Sequence, residues 1–377
     1  MEHLKVNTRS LWAEIDISAI KHNIGEARKA VGERVKVMAV VKANAYGHGA
    51  PRVAKAACEA GASCLGVALP EEGARLREAG ISQPIHVLAE SAHAAIPMVF
   101  DYDLTATVFS MRSALALSEE AVRRGKIAKV HVKVDTGMNR VGLPPENTSA
   151  FIRDLKELPG LEVEGIFTHF SEADNPESDY TGYQLNRFKN LIGELERDGM
   201  CPPVKHAANS AAVYLYPDSH FDMVRIGISL YGLHPTEATK GWVNLQPAFS
   251  LKARLSFVKD VACGEGVSYG RTYKATHDTI IGTVPAGYGD GYSRLLSNKA
   301  QVLIGGRRYP AVGNICMDQF MVDLGPHSTA EVDDEVILIG RQEDEEISAD
   351  EIASLLGTIN YEIMCMISRR VPRVYKE

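Results

Sequence analysis

Eight short apolar runs of strand type, each followed by a stretch with helical spacing, fill roughly the first 225 residues of this 377-residue chain. They lie at 35–41, 64–69, 85–89, 104–109, 129–134, 161–168, 204–208 and 223–226. Helical patterns between them are punctuated by Gly61, Gly80 and Gly125, and Pro70 opens one of them. A further helix is expected before the first run, capped by Ser18, with Ile20, Ile24, Ala27 and Val31 on one face. Helices are also expected at 111–124, 148–158 and 180–198. Strand and helix alternating eight times favours an α/β fold of the (β/α)8 barrel type. A doubly wound open sheet stays as the alternative, because a strand count does not distinguish a closed sheet from an open one.

From Gly241 onward the pattern changes. Runs at 250–261, 279–284, 301–304, 309–312, 320–324 and 335–339 read as strands, with Gly305-Gly306 as a hairpin turn. A helix returns only near the end, opened by Ser348-x-x-Glu351 and closed by Gly357. The expected division is a barrel over 14–240 and a mostly β domain over 241–377, joined by residues 1–13.

Composition narrows the class. The chain holds 41 basic and 48 acidic residues, a net charge of −7, and no basic tract, which argues against nucleic acid as a partner. Charged residues (Glu2, Lys5, Arg9, Glu14, Asp16) interrupt the N-terminus, so no signal peptide is expected. No run of ~18 apolar residues suggests a membrane span. The six cysteines are scattered without a C-x-x-C pair and read as free thiols. A cytoplasmic protein is expected.

In barrels of this kind chemistry gathers at the C-terminal ends of the strands. Lys42 ends the first run. A lysine there is costly to bury unless it is paired or used, and as a snorkelling surface lysine it would mean nothing. The other strand ends supply Lys133 with Asp135 and Arg140, then His169, then Asn209 and Ser210, then Arg225 and Gly227. Singly, His169 reads as a satisfied core histidine and Arg225 as half of an ion pair. Together on one rim they read as a site. Ser210 offers a hydroxyl, and Gly227-Ile228 offers N–H groups open to approach, where barrels commonly bind phosphate. A lysine beside a phosphate cup points to pyridoxal 5'-phosphate, held through a Schiff base.

The stretch V-V-K-A-N-A-Y-G-H-G around Lys42 closely resembles the cofactor motif of bacterial alanine racemases. The resemblance continues through V-K-V-D-T-G-M-N-R-V-G, T-H-F, H-A-A-N-S-A-A, V-R-I-G-I, V-S-Y-G-R-T-Y, P-A-G-Y-G-D-G-Y, G-N-I-C-M-D-Q and I-N-Y-E-I. It implies a homodimer that supplies D-alanine for peptidoglycan. Lys42 would bind the cofactor and act as the base for the D-enantiomer. Tyr269 would be the opposing base for the L-enantiomer, supplied by the second subunit. Tyr46, Ser210, Gly227, Ile228 and Tyr361 would hold the phosphate, with Asn209 beside them. Arg225 would face the pyridine nitrogen, and His169 would bridge it towards Tyr269. Arg140 would contact the cofactor's phenolic oxygen and the substrate carboxylate, aided by the backbone of Met317. Tyr288 would narrow the mouth of the site, next to Asp318. Lys133 matches a position often carbamylated in the family, although a lysine paired with a carboxylate fits it equally well.

Racemisation removes a proton from one face of a planar carbanion and returns one to the other, so two bases on opposite faces suffice. Lysine and tyrosine, with ordinary pKa values of ~10.4 and ~10, both need a favourable site to serve near neutrality. An arginine opposite the pyridine nitrogen cannot protonate the ring, which favours racemisation over transamination. Three other readings compete: a barrel that stores the cofactor, a two-domain decarboxylase, and a racemase for serine or lysine. The second domain and Tyr269 weigh against the first, and Arg225 against the second. A hydroxyl is rejected only weakly, by ~10²-fold, so residual serine activity is expected. Gly289 and Arg271 depart from the family pattern, and Arg271, two residues past Tyr269, would change the charge at the mouth. The glycine-rich stretches lack Rossmann spacing, and no metal cluster is legible around Asp318 or Asp323.

Overall fold

The computed structural model describes residues 9–377; residues 1–8, part of the expected 1–13 join, lie outside the described residues. The chain falls into two compact units. One holds Ser18–Ala45 and Gly49–Pro247, the other the chain up to Ile17, Tyr46–His48 and Ala248–Glu377.

After β1 (Leu11–Asp16), which belongs to the second unit, eight parallel strands form the first: β2 (Lys36–Val40), β3 (Cys64–Val67), β4 (Ile85–Val87), β5 (Ala106–Val108), β6 (Ala128–Lys133), β7 (Leu161–Phe167), β8 (Val204–His206) and β9 (Met223–Ile226). Their order is β4-β3-β2-β9-β8-β7-β6-β5. The Val87 N–H donates to Thr105 O at 2.9 Å and the Thr105 N–H to Ile85 O at 2.9 Å, which close the ring between β4 and β5. This is the closed form of the two expected. Helices on one face and packed side chains on the other explain why these strands read as continuous apolar runs. The interior also buries His86, Thr107, His131, Lys133, His206 and Arg225.

Helix boundaries follow local chemistry. The helix Met111–Arg124 starts where Ser110 Oγ accepts from the Ser113 N–H and stops at left-handed Gly125. The first helix, Ile17–Val31, opens one residue before Ser18. Pro145–Lys156 begins three residues ahead of the expected 148, because Pro145 suits a first turn and Thr148 Oγ1 donates back to Pro144 O.

In the second unit β1 pairs antiparallel with β10 (Phe249–Arg254) and parallel with β20 (Arg373–Lys376). The expected single strand 250–261 is two, β10 and β11 (Phe257–Val261). Between them the chain changes partners. The Leu255 N–H donates to Asp334 O, whereas the next N–H, of Ser256, donates to Thr283 O. Gly305 and Gly306 turn the expected hairpin at φ 55 and 71. Ser348 Oγ caps the helix Ala349–Leu356 and Gly357 ends it in the left-handed region. All six cysteines are free thiols. No described helix is long and apolar enough to cross a membrane.

Candidate active site

Directly after Lys42 the backbone turns the wrong way. Ala43, Asn44, Ala45 and Tyr46 follow one another at φ 51, 56, 54 and 50, four L-residues in the left-handed region. Each costs roughly 1–2 kcal/mol there, so the turn persists only because its surroundings hold it. Glu72 accepts from the Ala43 N–H at 2.6 Å with one carboxylate oxygen and from the Ala68 N–H at 2.8 Å with the other. Asn44 Oδ1 accepts from the Ala50 N–H at 3.0 Å, and the Ala45 N–H donates to Val41 O at 2.9 Å. Backbone strain of this kind gathers at functional sites. The sequence showed small and polar residues there, with Tyr46 expected at the phosphate, and Glu72 was not among the expected site residues.

After β8, the second strand along from β2, Ser210 is buried at the start of the helix Ser210–Leu215, with Asn209 Oδ1 capping that helix. The N–H groups of Gly227 at 2.8 Å and Ser229 at 3.4 Å converge on Ser210 Oγ. Donors converging on one oxygen mark where an anion's oxygens can sit. Ile228 is buried between those two donors.

Arg225, also buried, donates from Nη1 to His206 Nδ1 at 3.0 Å and from Nη2 to His169 Nδ1 at 3.0 Å, Thr168 O at 2.8 Å and Ala207 O at 2.9 Å. All four partners are neutral. Burial pushes the guanidinium down to about 9, still protonated at neutral pH. His169 lies well below the ordinary imidazole value, through burial first and then Arg225. Lys133 shares the Phe167 ring with Arg225, its Nζ 4.6 Å and the guanidinium carbon 5.5 Å from the ring centroid. Burial, then Arg225 and Arg140, push its ammonium down to about 7. Asp135 commits Oδ1 to the N–H groups of Gly137 and Asn139 within its own turn. Arg140 itself is exposed.

Below this layer sits a group the sequence reading missed: His86, His131 and His206, all buried, with ring nitrogens within 4.8 Å of one another. They come from β4, β6 and β8 as H-x-x residues inside apolar runs, and only the alternation of each strand could have flagged them as inward-facing.

The signs for stability follow. His86, His169 and His206 lie well below the ordinary value and His131 below it, in each case chiefly through burial. Below pH ~6.5 the unfolded chain therefore takes up more protons, and folding weakens as pH falls. Lys133 acts likewise between its folded value of about 7 and the unfolded ~10.4, where stability rises with pH. Urea unfolding of the cofactor-free protein is expected to give midpoints rising from pH 5 to pH 9 at constant m. A flat profile from pH 5 to pH 7 would contradict the neutral-histidine core.

The second unit carries the remaining residues. Tyr46 and Tyr361 face each other with ring centroids 6.2 Å apart, and burial raises the Tyr46 hydroxyl. Gly47 cannot be replaced there, since a Cβ would meet Met364 O at 2.4 Å. Tyr269 is 73% exposed, on a turn where Ser268, Gly270 and Arg271 all have positive φ. Asn314 Nδ2 donates to Tyr269 O at 2.7 Å and fixes that turn. Tyr288 and Met317 lie on adjoining loops, joined by the Tyr288 N–H to Cys316 O at 3.1 Å and the Gly289 N–H to Met317 O at 2.9 Å. Arg370 pairs with exposed Asp318 and, at 2.8 Å, with buried Asp290, which Arg9 also meets at 2.5 Å. Asp290, inside G-Y-G-D-G-Y, is thus a structural anchor that the sequence did not reveal.

Known proteins place the chain in one family. The family described as alanine racemase, N-terminal domain, matches residues 15–235, and that described as alanine racemase, C-terminal domain, matches residues 248–375. The chain is 49% identical to an alanine racemase of Symbiobacterium thermophilum, covering 97% of each chain. It is 47% identical to one of Methanococcus maripaludis, covering 97% of this chain and 98% of the other. Its structure superposes on an alanine racemase of Clostridium difficile 630 with a TM-score of 0.94 at 42% identity, covering 98% and 96% of the two chains. A complex of that racemase with cycloserine superposes at 0.92 with 40% identity, covering the same shares. The chain belongs to the alanine racemase family.

Proposed function

We propose that the protein interconverts L- and D-alanine with pyridoxal 5'-phosphate, as a homodimer in the cytoplasm, and so supplies D-alanine for peptidoglycan. The observation that carries this is Arg225: a buried cation whose hydrogen-bond partners among the described residues are all neutral, on the rim shared by Lys42 and the Ser210 cup. The residues fit the cofactor. The N–H groups converging at Ser210 suit a phosphate oxygen, and Arg225 suits an unprotonated pyridine nitrogen. When bound, the cofactor delocalises the electron pair left when the substrate loses its α-proton.

Lys42 holds the cofactor and moves the proton on one face; the partner's Tyr269 moves it on the other. Tyr46, Asn209, Ser210, Gly227, Ile228 and Tyr361 hold the phosphate. His169 passes the orienting influence of Arg225 towards the tyrosine. Arg140 and the Met317 backbone bind the substrate carboxylate, while Tyr288 and Asp318 line the mouth and keep the substrate small. The test is chiral chromatography of alanine, serine and lysine incubated with the cofactor-loaded protein, with borohydride reduction to locate the attached lysine. Racemisation fastest on alanine and label on Lys42 are expected; label elsewhere, or decarboxylation instead, would sink the proposal.

Lys133 is carbamylated in this reading. Only a neutral amine attacks CO2, forming an N–C bond and releasing a proton, and an ammonium held down to about 7 supplies that amine. The carbamate gives Arg140 and Arg225 an anion between them. Lys133→Ala is expected to lose at least about tenfold in kcat and to recover part of it with small carboxylates. Lack of rescue, together with wild-type insensitivity to CO2 depletion, would return Lys133 to a structural role.

A further inference from the structure

Four adjacent strands carry one unbroken line of hydrogen bonds from the N-terminal mouth of the barrel to its catalytic rim. Arginine only donates, so Arg225 Nη1 makes His206 Nδ1 an acceptor. His206 is neutral, hence its proton sits on Nε2, which faces His131 Nδ1 at 2.9 Å. His131 in turn carries its proton on Nε2, 3.3 Å from Glu164 Oε2. Each tautomer is dictated by its neighbour, from a cation at one end to a carboxylate at the other.

His86 stands beside this line. Thr107 Oγ1 donates to Val87 O at 2.7 Å and so accepts from His86 Nε2 at 3.1 Å. That leaves the His86 Nδ1 lone pair buried. It is the one ring lone pair of the three histidines not already committed, and one lone pair does not make a metal site.

The backbone is built for this line. Val130 pairs with Val163 but His131 with Gly165, so Glu164 is the extra residue of a bulge that re-aims its side chain. Gly165 makes room for the ring, since a Cβ there would lie 2.4 Å from His131 Cε1. Phe167 stacks on His206 at 4.7 Å and 7° and fixes its plane. A cavity of about 120 Å3, lined by Lys36, Cys64, His86, His131 and Glu164 among others, adjoins the lower end.

We propose that Glu164 and His131 are positioning residues for the catalytic rim: they lock His206 in the tautomer whose lone pair faces Arg225, and thereby fix the guanidinium and its bond to His169. The inference rests on the role given to Arg225 above. Without Glu164, His131 is free to carry its proton on Nδ1, opposite the His206 N–H. His206 then turns an N–H towards Arg225, and two donors face each other. His131 is faced by Glu164, Lys129 and Lys36, and His206 by Arg225, His86 and Lys133. Glu164, bonded to His131 and Lys129, has its carboxyl pushed down to about 2, so the order holds across the working pH range.

The test combines histidine-selective 15N NMR with kinetics on the cofactor-loaded dimer and on the cofactor-free protein. Expected for the wild type is an Nε2–H tautomer at His131 and His206 from pH 8 to pH 5. Glu164→Leu and His131→Leu are expected to average the His206 tautomer and to lower kcat about tenfold with KM changed less. His131→Gln, whose amide both accepts from His206 and donates to Glu164, is expected to stay within about threefold of the wild type. Wild-type kcat in both leucine variants, loss in His131→Gln equal to His131→Leu, or an Nδ1–H at His206 would overturn the proposal. If instead Arg225→Lys keeps full activity while the tautomers are as expected and both leucine variants still lose kcat, the role given to Arg225 at the pyridine nitrogen fails, whereas the positioning of the rim by Glu164 and His131 stands.

Discussion

Mixing Lys42→Ala subunits with Tyr269→Phe subunits is expected to restore about one quarter of wild-type activity. Each variant alone should be nearly inactive. On the proposed roles, Lys42→Ala would remove both the attachment point and one base, a loss of at least about 10³-fold, and Tyr269→Phe the other base, about 10²–10⁴-fold. When the two are dissociated and re-paired, half the dimers are mixed. In each mixed dimer one site has an intact Lys42 from one chain and an intact Tyr269 from the other, while its twin has neither. If both bases came from the same chain, no mixed dimer would contain a complete site. Tyr269 is 73% exposed, so phenylalanine leaves no buried hole to confuse the result. An inactive mixture that demonstrably contains mixed dimers would end the shared-site reading.

Arg225→Glu carries the second large expected effect, on chemistry and on stability. A carboxylic acid at the pyridine nitrogen can protonate the ring and draw more charge into it. Racemisation should fall, transamination should rise, and a long-wavelength absorption band should grow in. Removing the guanidinium also strips the donors from Thr168 O and Ala207 O. Each orphaned carbonyl costs about 1–3 kcal/mol, so the variant should melt earlier. Arg225→Lys, which keeps a cation, separates the two effects: it should share part of the destabilisation without the new band. An unchanged spectrum with unchanged partitioning in Arg225→Glu would refute the argument from the pyridine nitrogen.

Much of the barrel was legible because parallel strands buried on both faces leave uninterrupted apolar runs, as at Val37–Val41. Closure was not, since it rests on two backbone bonds at Thr105 that no side chain encodes. The β domain was less readable. Leu255 continues an apolar run while its backbone passes from one neighbour to the next, so one expected strand became two. At the rim, Lys42 and Ser210 stood out as polar residues just past apolar strand ends, and Arg225 because it interrupts an apolar strand. Glu72 and Asp290 did not, since a carboxylate in a helix start or glycine loop looks like ordinary surface until its partners are known. Glu164 was hidden for a further reason. A bulge breaks the two-residue alternation, so the rule that assigns faces fails at the residue that uses it.

The left-handed turn from Ala43 to Tyr46 has a stereochemical consequence. A left-handed helical turn is the mirror image of the conformation L-residues prefer, so it is the natural resting place of D-residues. Ala43 is exposed and makes no side-chain demand. A semisynthetic chain with D-alanine at position 43 would relax the backbone next to Lys42 without altering composition. In a chain read as a maker of D-alanine, the segment after Lys42 has the geometry that the mirror-image amino acid would adopt unforced.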